Sequence, residues 1–342
     1  MKAIVLHEPG PPEHLRFQEI ADPELSSGSA IVRVHAAGVC YRDVIDRRGG
    51  FPFMKRPVVP GHEFGGVVEA VAPDVTDLAV GTRVVNLHRA PCGECEYCLA
   101  GHDPRCSRSM MMFGLTLDGG YAERVLAPVK SLVPLPDVVP FEQGCFLACT
   151  AGVALRGMET RGGLRAGETV LITGASGGVG FHAIQVAKLL GARVVAVTSS
   201  ADKAERLRAA GVDEVVISPD LNFHKQMRAR DVHLVLDCVG APTLNSSIRS
   251  VRPMGRVVVA GNVTIAHLPI NPGYLILNEV SIAGTSSCTR ADLARVLAWV
   301  ERGELTPALE EVLPLDRAVD AHRRLEARGV VGRLVLTPNS ND

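Results

Sequence analysis

The pattern of apolar and polar positions changes about halfway along the chain. In residues 1–150 the apolar residues form short runs separated by glycine and proline, and the run 30–36 (AIVRVHA) alternates apolar with polar side chains. Alternation with a period of two is typical of a strand that buries one face. Similar runs at 65–71, 83–87 and 121–126 predict further strands. We therefore expect the first part of the chain to be rich in β-structure.

From about residue 165 the apolar runs become nearly continuous, and helical segments follow them. The runs 168–173 (ETVLIT), 193–198 (RVVAVT) and 232–237 (VHLVLD) are typical of strands that are buried on both faces. Their alternation with helical patterns predicts a doubly wound, parallel α/β sheet. Further strands are expected at 214–217, 256–260, 280–283 and 332–336, and helices at 180–190, 201–210, 315–328 and around Trp299.

The composition is that of a soluble enzyme. Of 342 residues, 46% are hydrophobic and 21% are charged, which excludes a disordered chain. The net charge of −1 gives no sign of the basic surface that nucleic-acid binding requires. No run reaches the ~20 apolar residues of a membrane span, and the N-terminus lacks the apolar stretch of a signal peptide. We expect a cytoplasmic protein with a small-molecule substrate and with neither nucleic-acid nor membrane partners.

Four of the nine cysteines crowd into one short loop, at Cys92, Cys95, Cys98 and Cys106. Four thiolates at such spacing can close a tetrahedral site with Zn–S bonds of ~2.3 Å. Neighbours such as Glu94 and Glu96 make the loop too polar for a set of unrelated core thiols. Zinc is favoured over iron, although the spacing alone does not exclude an iron–sulfur cluster. Because all four positions are filled, the loop predicts a structural zinc site.

A glycine-rich turn, TGASGGVG (173–180), follows a predicted strand and opens a predicted helix. That context indicates a dinucleotide site, because glycines let backbone N–H groups approach a pyrophosphate and the helix N-terminus adds partial positive charge. The spacing of the glycines differs by one residue from the commonest form. The residues expected to contact the cofactor are Gly174, Ser176, Gly177, Gly178, Val179 and Gly180.

The end of the next predicted strand indicates which nicotinamide cofactor binds. An NAD site places Asp or Glu there to accept a hydrogen bond from the ribose 2′-OH. This chain has Thr198, Ser199 and Ser200 instead, followed by Lys203 and Arg206. Hydroxyls and cations suit a 2′-phosphate that a carboxylate would repel, so we predict NADP(H) with Thr198, Ser199, Ser200 and Lys203 as contacts. The alternative is that the two cations belong to a solvated helix face.

A second candidate metal set is dispersed along the chain, at Cys40, His62, Glu63 and Cys149. Thiolates, an imidazole and a carboxylate suit a catalytic zinc with an open coordination position. A single buried cysteine or histidine, however, is more often part of a core than a ligand. The spacing alone does not link these residues.

Several segments together resemble the zinc-containing branch of the medium-chain dehydrogenase/reductase superfamily, and the resemblance covers essentially the whole chain. They are GVCYRD (38–43), PGHEFGGVVEAV (60–71), CGECEYC (92–98), DGGYAE (118–123), TGASGGVG (173–180), LDCVG (236–240) and VGRLVL (331–336). The resemblance implies a GroES-like, β-rich catalytic domain and a doubly wound Rossmann domain. We accordingly assign 1–150 to the catalytic domain with its structural zinc loop, 151–289 to the NADP(H)-binding domain, and 290–342 to a return to the catalytic domain.

The resemblance also implies roles for individual residues. Cys40, His62 and Cys149 match the ligands of a catalytic zinc, and Glu63 matches an adjacent acid that can enter the coordination sphere. Cys145 is a rival third ligand. Asp43 matches a carboxylate that orients a ligand, and Arg333 is assigned to cofactor binding. Finally, the resemblance implies a homodimer or homotetramer, with the edge strand 280–284 in the dimer contact.

Two departures from the family pattern concern proton transfer. Zinc alcohol dehydrogenases usually have Ser or Thr two residues after the first ligand cysteine, and many have His five residues after it. Here those positions hold Arg42 and Ile45. Arginine stays protonated and cannot act as a general base, and isoleucine relays no proton. The usual alcohol proton relay is therefore expected to be missing.

The segments CYRD, FPFMKRPVVPGHE, TGASGGVGFHAIQVAKLLGA and GYLILNEVSIAGTSS resemble the zinc-containing, NADPH-dependent acryloyl-CoA reductases of this superfamily. This resemblance implies hydride transfer to the β-carbon of a short α,β-unsaturated acyl compound, with Arg42 or zinc stabilising the developing enolate. Arg42 has two other interpretations: it holds a phosphate of CoA or the cofactor, or it pairs with Asp46 on the surface.

Two other functions stay open at this point. One is a zinc-dependent alcohol dehydrogenase, or an aldehyde or ketone reductase, in which the metal acts as Lewis acid. The other is a protein that binds NADPH without turnover, which the complete set of zinc ligands disfavours.

Overall fold

The computed structural model describes residues 1–227, 231–264 and 266–338. The chain divides into two units, one made of Met1–Cys149 and the segment from Cys288 onward, the other of Thr150–Ser287. The boundaries predicted after residues 150 and 289 differ from these by one and two residues.

The strands are β1 (Lys2–Leu6), β2 (Leu15–Glu19), β3 (Ser29–Val39), β4 (Glu63–Val71), β5 (Arg83–Asn86), β6 (Arg124–Pro128), β7 (Leu132–Pro134), β8 (Thr169–Ile172), β9 (Arg193–Thr198), β10 (Glu214–Ile217), β11 (Val232–Asp237), β12 (Val251–Val259), β13 (Ser281–Gly284), β14 (Leu309–Pro314) and β15 (Arg333–Thr337). The α-helices are α1 (Tyr41–Arg47), α2 (Glu96–Leu99), α3 (Phe141–Gly144), α4 (Val153–Leu155), α5 (Gly178–Leu189), α6 (Ala204–Ala209), α7 (Ala241–Ser250), α8 (Pro272–Asn278), α9 (Arg290–Glu301) and α10 (Ala318–Glu326). Two π-helical turns, Ala148–Gly152 and Arg156–Arg161, flank α4.

A seven-stranded sheet forms the first unit, in the order β14-β15-β3-β4-β5-β7 with β6 paired to β3. Its long strand β3 pairs antiparallel with β4, β6 and β15, so both chain ends contribute to one sheet. Apolar side chains from these strands, among them Val32, Phe64 and Leu334, are fully buried in one core. The β-rich first part predicted from the sequence is therefore present and is completed by the C-terminal segment.

A six-stranded parallel sheet forms the second unit, in the order β10-β9-β8-β11-β12-β13. Numbered within this unit, the order is 3-2-1-4-5-6, the order of doubly wound dinucleotide-binding folds. The chain reverses its direction of winding between β8 and β11, and ligands bind such sheets at the carboxyl ends of the strands at that point. The glycine turn at 173–180 and the LDCVG segment follow these two strands.

The strands of the parallel sheet were predicted most accurately. The predicted bounds of β9, β10 and β11 match the observed ones, and β12 begins five residues before the predicted start at 256. The predicted helix at 201–210 divides into a 3₁₀ turn, Ala201–Lys203, and α6. Strand β14 was not predicted, because most of its side chains are half-buried or exposed at a sheet edge and no apolar run marks it. Among the described residues, none of the helices has the length and apolar character that crossing a membrane would need.

Candidate active site

Four side chains that lie far apart in the sequence converge in the first unit: Cys40, His62, Glu63 and Cys149. Their ligand atoms all lie within 4.8 Å of one another. The Cys149 Sγ is 3.5 Å from His62 Nε2 and 3.9 Å from Cys40 Sγ. All four residues are at most 9% exposed. The structure therefore brings together the dispersed set that sequence spacing alone could not link.

Local structure explains why these residues meet. Cys40 follows the end of β3 and precedes α1, while His62 and Glu63 stand at the start of β4. Because β3 and β4 run antiparallel, with Gly38 opposite Glu63, the end of one strand lies beside the start of the other. Cys149 comes from the π-helical turn Ala148–Gly152. Such turns occur frequently at functional sites.

Asp43 connects two members of this set. Its Oδ1 is 2.8 Å from His62 Nδ1, and its Oδ2 accepts the backbone N–H of Cys40 at 2.9 Å. Burial would raise the pKa of Asp43, but the charge and hydrogen bond of His62 hold that pKa well below its usual range. An ionised carboxylate only accepts hydrogen bonds, so Nδ1 carries the proton and Nε2 of His62 can ligate a metal.

Arg333 lies in this cluster, on β15. Its Nη2 donates to Glu63 Oε1 at 2.7 Å and is 3.2 Å from Cys40 Sγ, and its Nε donates to Glu63 Oε2 at 3.2 Å. Burial, against the opposing charge of Arg333, raises the pKa of Glu63 to about 7. The observed contacts of the Arg333 guanidinium are with Glu63 and Cys40. These contacts do not test the assignment of Arg333 to cofactor binding, which stays a prediction.

The two thiols differ in their tendency to ionise. A hydrogen bond from Cys149 and, against burial, the charge of Arg333 hold the pKa of Cys40 well below its usual range. The hydrogen bond to Cys40 and burial raise the pKa of Cys149. Metal binding deprotonates thiols, and two thiolates with an imidazole are a donor set that zinc prefers. The cluster thus fits a zinc ion. Cys145, the rival ligand, is not among the four residues whose ligand atoms gather here, and its thiol contacts the carbonyl oxygen of Glu142 at 3.8 Å.

Arg42 lies on α1, between Cys40 and Asp46 in sequence. Its Nε is 3.0 Å from Asp46 Oδ2, and its Nη2 donates to the carbonyl oxygen of Phe113 at 3.3 Å. The pair is present, but it is not the solvated surface pair considered above, because the Asp46 side chain is only 2% exposed. Burial, with the charge of Arg42 opposing it, raises the pKa of Asp46 to about 7.

The cysteine-rich loop gathers its four thiols into a second cluster. The ligand atoms of Cys92, Cys95, Cys98 and Cys106 lie within 4.8 Å of one another. The amide of Cys95 donates to Cys92 Sγ, and hydrogen bonds from the amides of Cys98 and Ser107 lower the pKa of Cys95 to about 5. Amide donors of this kind stabilise thiolates. The donor set fits a closed tetrahedral zinc site.

The predicted cofactor turn joins β8 to α5. Gly174 has a φ of +58°, and a Cβ placed on Gly180 would lie 2.3 Å from the carbonyl oxygen of Gly174, so the turn requires glycine at both positions. Gly177 is the N-cap of α5 and has no side chain that could accept hydrogen bonds from the amides of the first helical turn. Those amides can therefore donate to a ligand. Ser176, Gly178 and Val179 belong to the same turn, whose donors fit a dinucleotide pyrophosphate.

The predicted ribose site lies at the end of β9. The Thr198 Oγ1 accepts the backbone N–H of Ser200 at 3.2 Å, and the Ser200 hydroxyl donates to Asp202. Ser199 lies between these two residues, and Lys203 ends the 3₁₀ turn that follows. Asp202 was not considered in the sequence analysis, because it lies beyond the end of the strand where an acidic residue would mark an NAD site.

Sequence reasoning missed Asp237, a fully buried carboxylate at the end of β11. It accepts hydrogen bonds from the hydroxyls of Thr173, Thr243 and Ser247 at 2.6–2.9 Å. Thr173 follows β8 and is the first residue of the glycine turn, so Asp237 ties the ends of β8 and β11 together. The segment LDCVG contains Asp237, but nothing in the local pattern distinguishes a buried carboxylate from a solvated one.

Comparisons with known proteins agree with this geometry. Residues 26–137 match the alcohol dehydrogenase GroES-like domain, and residues 178–302 match the zinc-binding dehydrogenase family. An acryloyl-coenzyme A reductase from Sulfurisphaera tokodaii is 37% identical over 99% of this chain and all of its own length. One from Metallosphaera sedula is 38% identical over 98% of this chain and all of its own length. An alcohol dehydrogenase from Geobacillus stearothermophilus is 34% identical over 98% of this chain and 99% of its own length.

Solved structures show the same fold. The crystal structure of AibC covers 99% of this chain and 96% of its own, with a TM-score of 0.93 and 42% sequence identity. That of an NAD-dependent alcohol dehydrogenase covers 99% of this chain and all of its own, with a TM-score of 0.91 and 35% identity.

The fold class and the family resemblance inferred from the sequence are thus confirmed. The chain belongs to the zinc-containing medium-chain dehydrogenase/reductase family of oxidoreductases, and membership implies zinc and a nicotinamide cofactor.

Proposed function

We propose that the protein reduces the carbon–carbon double bond of a short α,β-unsaturated acyl thioester of the acryloyl-CoA type with NADPH. NADPH gives a hydride to the β-carbon, solvent supplies the proton that adds to the α-carbon, and the products are the saturated thioester and NADP⁺. The observation that carries this proposal is Arg42, held by Asp46 and Phe113 at the position where alcohol dehydrogenases need a hydroxyl. Two relatives at 37% and 38% identity, named as acryloyl-coenzyme A reductases, support the substrate class.

In this proposal Arg42 donates a hydrogen bond to the thioester oxygen. Negative charge develops on that oxygen as the β-carbon accepts hydride, and a fixed cation there stabilises the enolate. The contacts with Asp46 and Phe113 orient the guanidinium before substrate arrives, and they leave further N–H groups of Arg42 for a ligand. A permanently charged arginine suits this role and does not suit removal of an alcohol proton.

We infer that the zinc ions occupy the two clusters described above. When bound, the nicotinamide supplies the hydride, and a zinc ion at the first cluster supplies positive charge. Cys40, Cys149 and the Nε2 of His62 would hold that ion, with Glu63 adjacent and held by Arg333. Cys92, Cys95, Cys98 and Cys106 would hold the other, whose role is to stabilise the loop.

The closed thiol cluster can be tested by Cys95→Ser. We expect purified protein to fall from about two zinc equivalents to one per chain. The melting temperature should fall by roughly 5 °C or more, because the metal stabilises the folded loop. Zinc is measured by mass spectrometry and melting by calorimetry. Leu99→Ser, in the same loop at a 75% exposed position, is the control and should keep both equivalents. Retention of two equivalents by Cys95→Ser would contradict the assignment.

We further propose that NADP(H) is preferred over NAD(H). The end of β9 carries the hydroxyls of Thr198, Ser199 and Ser200, with Lys203 one turn later. These groups suit a 2′-phosphate, whereas an acceptor carboxylate directly at the strand end would suit a ribose hydroxyl. The one acidic side chain in this segment is that of Asp202, whose negative charge opposes phosphate binding. Its carboxylate accepts a hydrogen bond from the Ser200 hydroxyl.

Substitution of Thr198 by Asp tests the cofactor preference. We expect the KM for NADPH to rise by about tenfold to hundredfold and the preference to move towards NADH, because a carboxylate repels the 2′-phosphate. Thr198→Asn is the control, since it has nearly the same shape and can also accept the Ser200 N–H, but carries no charge. Steady-state kinetics with both cofactors gives the result. A wild-type preference for NADH would show that the proposal is wrong.

The second candidate function is reduction of an aldehyde or ketone, or oxidation of an alcohol. The complete donor set of Cys40, His62 and Cys149 favours it, because conjugate reduction does not require a metal. The relative from Geobacillus stearothermophilus carries the name alcohol dehydrogenase.

One substrate separates these two functions. Crotonaldehyde contains both a C=C and a C=O bond, and we expect the zinc-loaded protein with NADPH to convert it to butanal. Gas chromatography identifies the product, and crotonyl-CoA is then the thioester to assay. Formation of crotyl alcohol instead would favour the carbonyl reductase and contradict the proposed reaction.

Arg42 itself is tested by Arg42→Ala. We expect kcat for crotonyl-CoA to fall by about 10²–10³-fold, the usual cost of removing one donor to a developing oxyanion. Arg42→Lys should recover part of that loss, since it restores the charge without the planar fork. Arg48→Ala, at the residue that follows α1 and with a 55% exposed side chain, is the matched control. An unchanged kcat in Arg42→Ala would assign Arg42 a structural pairing with Asp46 only.

The homodimer or homotetramer and the cytoplasmic location stay predictions. The strand named for the dimer contact, now bounded as β13, lies at the edge of the parallel sheet.

A further inference from the structure

The Asp43 carboxylate has a third hydrogen-bond donor that comes from outside the candidate metal set. The Tyr121 hydroxyl donates to Asp43 Oδ2 at 3.1 Å. We infer that Tyr121 is a positioning residue for the metal centre: its hydroxyl fixes Asp43, which in turn orients His62 and Cys40. The inference rests on the metal site proposed at Cys40, His62 and Cys149.

The backbone of Tyr121 is held by the loop that leads to His62. The amides of Gly119, Gly120 and Tyr121 donate to the carbonyl oxygens of Val59, Gly61 and Pro60 at 2.7, 2.7 and 3.1 Å. The carbonyl oxygen of Tyr121 accepts the amide of Ile4, on β1, at 2.8 Å. The segments DGGY and PGHE, which stand about sixty residues apart in the sequence, therefore form one local structure around His62.

The ring of Tyr121 is held in place by the residues packed around it. Gly61 has a φ of +92°, and a Cβ placed on it would lie 2.3 Å from Tyr121 Cδ1, so the ring occupies the space that a side chain at 61 would need. His322 contacts the ring edge-on, with ring centroids 6.2 Å apart. Tyr121 is fully buried. The hydroxyl is thus delivered to Asp43 with little freedom to move.

The hydrogen bonds around Asp43 show why this hydroxyl matters. Oδ1 accepts from His62, and Oδ2 accepts from both the Cys40 amide and Tyr121. A buried carboxylate that loses one of its donors is less firmly oriented. Carboxylates that orient a metal-ligating histidine typically contribute 10–100-fold to metal affinity. In this inference the phenol hydroxyl acts through Asp43, to which it donates, and is not itself a metal ligand.

The test is Tyr121→Phe, which keeps the ring and removes only the hydroxyl. We expect one of the two zinc equivalents to be lost to a competing chelator at a concentration about two- to tenfold lower than in the wild type, a smaller effect than the loss of the orienting carboxylate itself would have. The zinc of the Cys92–Cys106 loop should be lost at the wild-type concentration. With Co²⁺ in place of zinc at the His62 site, the visible ligand-field bands should shift. Tyr274→Phe, which removes a phenol hydroxyl from the second unit, should change neither measurement.

A double-mutant cycle with Asp43→Asn shows whether Tyr121 acts through Asp43. If it does, adding Tyr121→Phe to Asp43→Asn should weaken zinc binding no further, because the two effects are not additive. Full additivity would overturn the inference. So would unchanged chelator sensitivity and Co²⁺ spectra in Tyr121→Phe, or loss of both zinc ions together with thermal stability, which would indicate a structural role.

The zinc content of the wild type and the variants shows whether the proposed metal site is wrong or only the role of Tyr121 is wrong. If the wild type binds one zinc equivalent and Cys95→Ser binds none, there is no metal at Cys40, His62 and Cys149, and both the metal site and the role of Tyr121 are wrong. If the wild type binds two and Tyr121→Phe releases them as the wild type does, only the role of Tyr121 is wrong.

Discussion

The arrangement of the first unit depends on one buried carboxylate, that of Asp43. An ionised group excluded from water must be surrounded by donors, and here they come from three segments of the chain: the Cys40 amide, the His62 imidazole and the Tyr121 hydroxyl. Each donor therefore restrains the segment that carries it. The antiparallel pairing of β3 with β4 brings the segments together, and the carboxylate then determines which imidazole nitrogen faces the thiols.

A second buried charge complements the first. Arg333 neutralises Glu63 and contacts Cys40 Sγ, so the centre holds two carboxylates, thiols of unequal acidity and one guanidinium in a small volume. Charges buried this closely are costly unless they are paired. A divalent cation among the thiols would add the positive charge that two thiolates lack. Arg333 comes from β15, so the C-terminal strand that pairs with β3 also supplies the guanidinium that contacts Glu63.

How much the sequence predicts depends on the range of the interaction. The four-cysteine loop was predicted from its spacing and polarity, and the glycine turn from its place between a predicted strand and a predicted helix, because all their residues lie within one short segment. The set of Cys40, His62 and Cys149 depends on the pairing of distant strands and was linked only through family resemblance. Tyr121 and Asp237 were not identified as site residues. Their roles come from burial and from hydrogen bonds between distant segments, and neither property leaves a periodic pattern in the chain.

The position of Arg42 and its pairing with Asp46 bear on the type of reaction. It lies on the helix that follows Cys40, and its partner Asp46 is four residues further on, so the helical repeat itself places the two side chains together. Burial raises the pKa of Asp46 to about 7, which means that the ionised carboxylate persists near neutral pH largely because the guanidinium is beside it. The guanidinium of Arg42 is therefore a permanent donor and cannot itself act as a base. An alcohol oxidation needs a group that removes a proton, which Arg42 cannot do, whereas conjugate reduction needs a group that stabilises a developing oxyanion, which Arg42 can do.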